Sequence, residues 1–395
     1  MSVKDSKYTS IIEAINQFIN IDLFKIERKL KQIEKEAEVY TAIFHPIEGF
    51  KVSEIKDYLV LAVDGGMATT NLEGISLTFA TAHAFSTVCK EYSEEIADAK
   101  VIHSGPEEPR ITFSTAMRCL EYNVARRAVK DYLEKGEKNI VVLLDGAITF
   151  PDEGLRQYTE GTNLGEWYDK YVKAVNSFFD FIYKNRDKVH ILSVAKNPVA
   201  NKYLVGLNNF FKTEFKNREL IENNARIFEE LKRKNSQLLN EIVHVTRKII
   251  SASKISERYY FSIAVWNSEK VRSVAVDVTN SSRFEIPIRK FLRENNRVFA
   301  FYLKAYKFSS PFYVEFPSWD LNRLDDLEKL LVTISLISPK LGYPYPLVYV
   351  DYLTRVDQNI KNLVFQSIKE QAIRKLGFKR FRSLFSEKFS RSVHA

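Results

Sequence analysis

Residues 58–66 read YLVLAVDGG, and residues 139–147 read NIVVLLDGA. Each is a short run dense in β-formers that ends on Asp-Gly, the pattern of a buried strand running into a turn. In an open α/β sheet, ligands gather beyond the carboxyl ends of the strands, so Asp64 and Asp145 are expected at two strand ends that meet solvent. Asp-Gly after a strand also starts an ordinary tight turn, in which Asp bonds to the backbone and Gly supplies a positive φ. One such motif is better read as a turn; two in the same core leave both readings open.

The sequence around these runs supplies the rest of an alternating core. Residues 74–88, GISLTFATAHAFSTV, alternate as a second strand paired beside the first. From Thr115 to about Lys135 the apolar positions Met117, Leu120, Val124, Ala128 and Leu133 fall on one helical face, with Gly136 as the stop. Residues 164–185 read as helix, 190–198 (HILSVAKNP) as strand, and 208–253 as a long polar helical stretch. The runs 259–266 (YYFSIAVW), 271–278 (VRSVAVDV), 297–306 (RVFAFYLKAY) and 312–317 (FYVEFP) read as strands. Residues 327–338 and the segment after the turn at Lys340–Pro346 read as helices. There is no internal repeat or low-complexity linker, so the strands are expected in one mixed sheet.

Before these, Ile11, Ile12, Ile15, Phe18, Ile19, Phe24, Ile26, Leu30 and Ile33 recur at mostly three- and four-residue spacings, an amphipathic helical arm. The division expected is an arm over residues 1–50, a catalytic domain over 51–360 with a helical insertion at about 207–255, and a basic amphipathic tail over 361–395. In that tail Phe378, Phe381, Leu384, Phe385 and Phe389 interleave with Lys379, Arg380, Arg382, Lys388 and Arg391. It suits either packing on its own domain or docking on DNA, a partner or a membrane surface.

Composition narrows the function classes. A net charge of +9 suits a polyanionic partner, although a lysine-rich solvated surface gives the same count. Two cysteines, Cys89 and Cys119, are too few for a disulfide framework or a cysteine-rich zinc site. The N-terminal residues lack the apolar stretch of a signal peptide, and no segment reaches the roughly 20 apolar residues of a membrane span. A cytoplasmic protein is therefore expected. The six histidines show no paired ligand spacing, and there is no phosphate-binding Gly-x-x-x-x-Gly-Lys-Ser/Thr loop.

Two carboxylates at neighbouring strand ends fit phosphodiester hydrolysis, in which a hard divalent cation held by carboxylate oxygens activates water and offsets phosphate charge. The helix between them adds a third acid, Glu121, with Arg118 one turn earlier, and Asn123, Arg126 and Arg127 beyond. An ordinary surface ion pair explains Arg118 and Glu121 equally well. Lys196, at the end of HILSVA, offers a cation to a phosphate.

The order AVDGG, R-x-x-E on a helix, LLDGA, SVAKNP, VEFP and GYPYPLVYVDYLTRV, over roughly residues 55–360, resembles the NurA nucleases. The resemblance implies a ribonuclease-H-like α/β core with a mixed sheet and helical N-terminal, central and C-terminal extensions. It implies Asp64, Glu121 and Asp145 as manganese or magnesium ligands, Lys196 on the scissile phosphate, Tyr343 or Tyr345 lining the site, and Arg118, Arg126 and Lys196 on DNA. It also implies a homodimeric 5′ to 3′ exonuclease, with single-strand endonuclease activity, that acts in archaeal DNA-end resection with a HerA-like hexameric ATPase. This chain departs from the family pattern in three places. Gly66 and Ala147 stand where Ser usually follows Asp-Gly, and Asp351 stands where many members carry His. Asp ligates a hard cation as well as His does, so Asp351 is expected as the fourth ligand. A catalytically weak adaptor that binds the translocase and DNA without cutting is the alternative. A nucleotide-binding enzyme of the actin or sugar-kinase type would need repeated glycine-rich phosphate turns that are missing here.

Overall fold

The computed structural model describes residues 13–19, 23–51, 54–71, 76–87, 95–104, 109–149, 162–196, 201–212, 233, 236–252, 256–279, 296–339 and 341–377. The basic tail from residue 378 on and the middle of the expected 207–255 insertion lie outside these residues.

Strands β1 (Phe44–Pro46), β2 (Leu59–Asn71), β3 (Ser76–Thr87), β4 (Glu95–Ser104), β5 (Ile140–Asp145), β6 (Val189–Ala195), β7 (Val271–Ser273), β8 (Val276–Asp277), β9 (Val298–Lys304) and β10 (Phe312–Pro317) form one sheet. Its order is β1-β7-β9-β10-β6-β5-β2-β3-β4, with β8 also paired to β9. β2, β5 and β6 run parallel; β3 folds back antiparallel on β2 and β4 antiparallel on β3, and β10, β9, β7 and β1 continue antiparallel beyond β6. An antiparallel meander whose first strand is joined by two parallel crossover strands is the expected ribonuclease-H-like core.

The crossovers are α2 (Pro109–Glu134), which returns the chain from β4 to β5, and α3 (Asn163–Lys184), which returns it from β5 to β6. Every residue of β6, β9 and β10 is buried, and so is all of β5 except Asp145. Such strands read as continuous apolar runs because both of their faces are covered. α2 is covered on a wide face as well: Ala116, Leu120, Val124, Ala128 and Val129 are buried between the sheet and α3.

The remaining helices are α1 (Leu23–Glu38), α4 (Lys202–Lys212), α5 (Ser236–Ala252), α6 (Glu257–Ala264), α7 (Leu324–Leu336), α8 (Tyr345–Thr354) and α9 (Gln358–Leu376). Among the described residues no helix is long and apolar enough to cross a membrane. The first β-strand reading beyond the core is corrected here: YYFSIAVW contributes to α6, not to a strand. Tyr260, Phe261 and Val265 are buried at helical spacing, and the Phe261 ring packs on Tyr40, Tyr203 and Tyr302. A run this short carries either period, and the buried side chains decide it. The helix after GYPYPL is likewise two helices, because Arg355 is extended and Asp357 caps α9 by accepting from the Ile360 amide at 2.8 Å. β4, an edge strand of mixed polarity, has no apolar pattern in the sequence and was not expected.

Candidate active site

β2 does not end at its Asp-Gly. It runs on to Asn71, paired with β3 along its length, while its pairing with β5 stops at Val63↔Leu144. The next register position holds Asp64 on β2 and Asp145 on β5, so their backbones are neighbours at about the 5 Å inter-strand spacing. The expectation of a strand end therefore holds for Asp145, where Gly146 turns the chain with φ +95°, and not for Asp64.

The two glycines after Asp64 have a different function from a turn. A Cβ at Gly65 would collide with Oε1 of Glu121 and with Met117 on α2, and one at Gly66 would collide with the carbonyl of Thr354 on α8. Successive strand residues face opposite sides of the sheet. α2 thus covers one face of β2 and α8 the other, and the Glu121 carboxylate lies against the bare Cα of Gly65 and lines one pocket with Asp145.

Asp64 is 8% exposed; its Oδ1 accepts from the Gly65 amide at 2.8 Å, and its Oδ2 lies 3.4 Å from Thr354 Oγ1. Burial, reinforced by the charges of Glu121 and Asp145, pushes its carboxyl up to about 8. Burial pushes Glu121 up to about 7, against the favourable charge of Arg118. Asp145 is also raised by burial, while Lys196 and a hydrogen bond from Tyr343 pull it the other way. The Tyr343 hydroxyl sits 3.2 Å from Asp145 Oδ1 and 3.2 Å from the Val194 carbonyl. Lys196 is exposed, with its ammonium 4.6 Å from the centre of the Tyr343 ring.

The expected residues fall into three groups. Asp64, Glu121, Asp145, Tyr343 and Lys196 share one locality, and Arg118, Glu121, Tyr122, Asp145, Gly146 and Ser193 line a pocket beside it. Asp351, on α8, is near enough for its charge to act on Asp64, Asp145 and Tyr343, and its Oδ2 is paired with Arg355 at 2.6 Å. Arg126 is exposed farther along α2 and does not line the pocket, and the Tyr345 ring packs toward Tyr349. Among the described residues no three His, Cys, Asp or Glu side chains converge into a ready-made ligand group. The donor set nonetheless suits a hard cation, since it consists of carboxylate oxygens whose mutual repulsion a positive charge relieves.

A second, fully buried network was missed in the sequence. Glu315 on β10 accepts from the Thr149 amide at 2.7 Å and from the hydroxyls of Thr149 and Tyr313, and buried Lys202 donates to the Thr149 carbonyl and hydroxyl. It ties down the loop that follows Asp145. A Glu inside the β run FYVEFP was the available signal, because Glu is almost never fully buried without partners. His190 is buried, with Nδ1 2.7 Å from Asp320.

A family model described as NurA domain matches residues 58–356. No curated protein matches the chain. Among solved structures, the fold is similar to the NurA nuclease from Sulfolobus solfataricus, with a TM-score of 0.56 and 14% identity over 95% of this chain and 98% of that one. Weaker likenesses are to NurA with manganese (TM-score 0.45, 11% identity, 89% and 98% covered) and to NurA bound to dAMP and manganese (0.40, 12%, 90% and 94%). At such identities the likeness speaks for the fold alone.

Proposed function

The chain belongs to the NurA family of nucleases, and from that premise we propose that it is a divalent-metal-dependent deoxyribonuclease worked by Asp64, Glu121 and Asp145. The observation that carries the reading is that Asp64 and Asp145 each follow directly on the last pair of the β2–β5 ladder, Val63↔Leu144, with the Glu121 carboxylate packed against the bare Cα of Gly65 next to Asp64. Acids that are desolvated and repel one another in this way, Asp64 buried and Glu121 and Asp145 half-buried, are held protonated or matched by a cation. Oxygen-only donors favour manganese or magnesium over zinc. When bound, such a cation supplies Lewis-acid activation of water and neutralises charge at the phosphate.

The protein's own groups do the rest. Asp64 and Asp145 would hold the cation from β2 and β5, Glu121 from α2, and Asp351 would add a fourth carboxylate from α8. Tyr343 fixes the orientation of Asp145 by donating to its Oδ1. Lys196 is exposed at the rim and brings positive charge to a phosphate oxygen, where charge accumulates in the transition state. Arg118 at the pocket and Arg126 along α2 hold the DNA backbone. The net charge of +9 supports a nucleic-acid substrate.

The finer assignments rest on family resemblance: cutting 5′ to 3′, single-strand endonuclease activity, a homodimer, and service to a HerA-like hexameric ATPase in archaeal end resection. The cytoplasmic location and the division into an arm over residues 1–50, a nuclease domain over 51–360 and a tail over 361–395 rest on the sequence pattern. The adaptor reading is favoured by one observation, the neutralisation of Asp351 by Arg355. Release of nucleotides from DNA labelled at either end, with manganese, magnesium or chelator, tests the proposal and reads the polarity. The proposal expects metal-dependent release that Asp64→Asn abolishes. No release, even with a HerA-like ATPase and ATP present, favours the adaptor.

A further inference from the structure

Thr354 closes α8 and is 2% exposed. Its backbone is seated against the central sheet at two points. The carbonyl accepts from Thr81 Oγ1 on β3 at 3.2 Å, and it occupies the space that a side chain at position 66 would need. Its hydroxyl lies 3.4 Å from Asp64 Oδ2 and 3.1 Å from the carbonyl of Asp351, one turn earlier on the same helix.

A hydroxyl has a single proton to donate. Between a neutral carbonyl and an ionised carboxylate the proton goes to the carboxylate, since charge-assisted hydrogen bonds are about twice as strong as neutral ones. The Gly65 amide already holds Oδ1 of Asp64 at 2.8 Å. With Thr354 on Oδ2, both oxygens of the carboxylate are oriented, and each keeps a lone pair for another partner. The bare Cα of Gly66 is what admits the end of α8 this far, and Thr81 pins it there. α8 thereby brings Asp351 and Thr354 to the same carboxylate site as one rigid piece.

We infer that Thr354 is the positioning residue for Asp64, and that Gly66 forms the slot that seats it. The inference rests on the reading of Asp64 as a cation ligand given above. Outer partners that orient a ligating carboxylate are worth ~10- to 100-fold in metal affinity. Thr354 is not a catalytic residue, for it acts only through Asp64.

The test is manganese affinity of the full chain without DNA, followed by electron paramagnetic resonance of the free ion, with thermal unfolding as a check on each variant. Thr354→Val keeps the shape of the side chain and removes the proton donor; it is expected to bind manganese ~10-fold or more weakly. Thr354→Ser is expected to bind within about threefold of the wild type, because it restores the hydroxyl. In an Asp64→Asn background, Thr354→Val is expected to add no further loss, because the two residues act as one unit. Gly66→Ala removes no polar group and is expected to reproduce the loss; Thr354→Ala takes the place of the valine variant if that variant does not fold. Wild-type affinity in Thr354→Val, a loss that Ser does not restore, or an undiminished loss beside Asp64→Asn would each overturn the inference while leaving Asp64 a ligand. A wild type that binds no manganese would overturn the cation reading and this inference together.

Discussion

Gly65 and Gly66 serve opposite faces of β2, and the side chains that they lack decide what reaches Asp64. Gly65→Ala places a methyl group against the Glu121 carboxylate. Because a misplacement of about 1 Å can cost ~100-fold in rate, this change is expected to lower nuclease activity by roughly that factor in a released-nucleotide assay. The acids themselves set a pH dependence. Asp64 is pushed up to about 8 and Glu121 to about 7, so a cation must displace their protons. Manganese affinity is therefore expected to rise with pH through 7 and 8, with proton release seen as a buffer-dependent heat by titration calorimetry. Both residues were legible in the sequence as acids in a strand-helix-strand pattern. The purpose of the glycines was not, since Asp-Gly-Gly suggests a turn and only the packed helices reveal an uninterrupted strand with two close approaches.

At the scale of elements, the loop after β5 is held from behind by β10 and α4. Removing Glu315 leaves the Thr149 amide and the Thr149 and Tyr313 hydroxyls buried without their acceptor. A buried donor left unsatisfied costs about 1–3 kcal/mol, so Glu315→Ala is expected to lower the free energy of unfolding by about 3 kcal/mol in urea. Asp351–Arg355 is a contrasting case, since the Arg355 side chain is 69% exposed. Arg355→Ala is expected to change stability by less than about 1 kcal/mol in the same assay. β5, β6, β9 and β10 were readable because burial on both faces leaves short runs dominated by apolar β-formers. α6 was not, since its eight residues are rich in aromatic β-formers and become helical only through Tyr40, Tyr203 and Tyr302 around Phe261. The break between α8 and α9 was marked only by Asp357, a cap residue inside an otherwise continuous helical pattern.

At the scale of the molecule, the point where the β2–β5 pairing stops is one of the places where burial raises carboxyls, Glu257 on α6 and Glu328 on α7 being others. Asp64 and Glu121 bind protons more tightly folded than unfolded. Between roughly pH 4, where an unfolded carboxyl titrates, and about 8, the folded state carries the extra protons, so metal-free stability falls as pH rises. The melting temperature is expected to drop across that window in chelator and to recover with manganese. The alternation of strand and helix was legible along the whole core, and 271–278 was read as the strand that holds β7 and β8; the full ten strands of the sheet among the described residues were not, because β1 is three residues long and β4, at an edge, is of mixed polarity. The most direct test of the central claim, that three carboxylates from two strands and a helix form one hydrolytic unit, is the DNA-cleavage rate of Asp64→Asn, Glu121→Gln and Asp145→Asn alone and in pairs. Groups that work as a unit are non-additive, so each single substitution is expected to lower the manganese-dependent rate by ~1,000-fold or more, with the pairs little worse than the singles. Single variants that retain wild-type rates, or losses that multiply independently in the pairs, would contradict it.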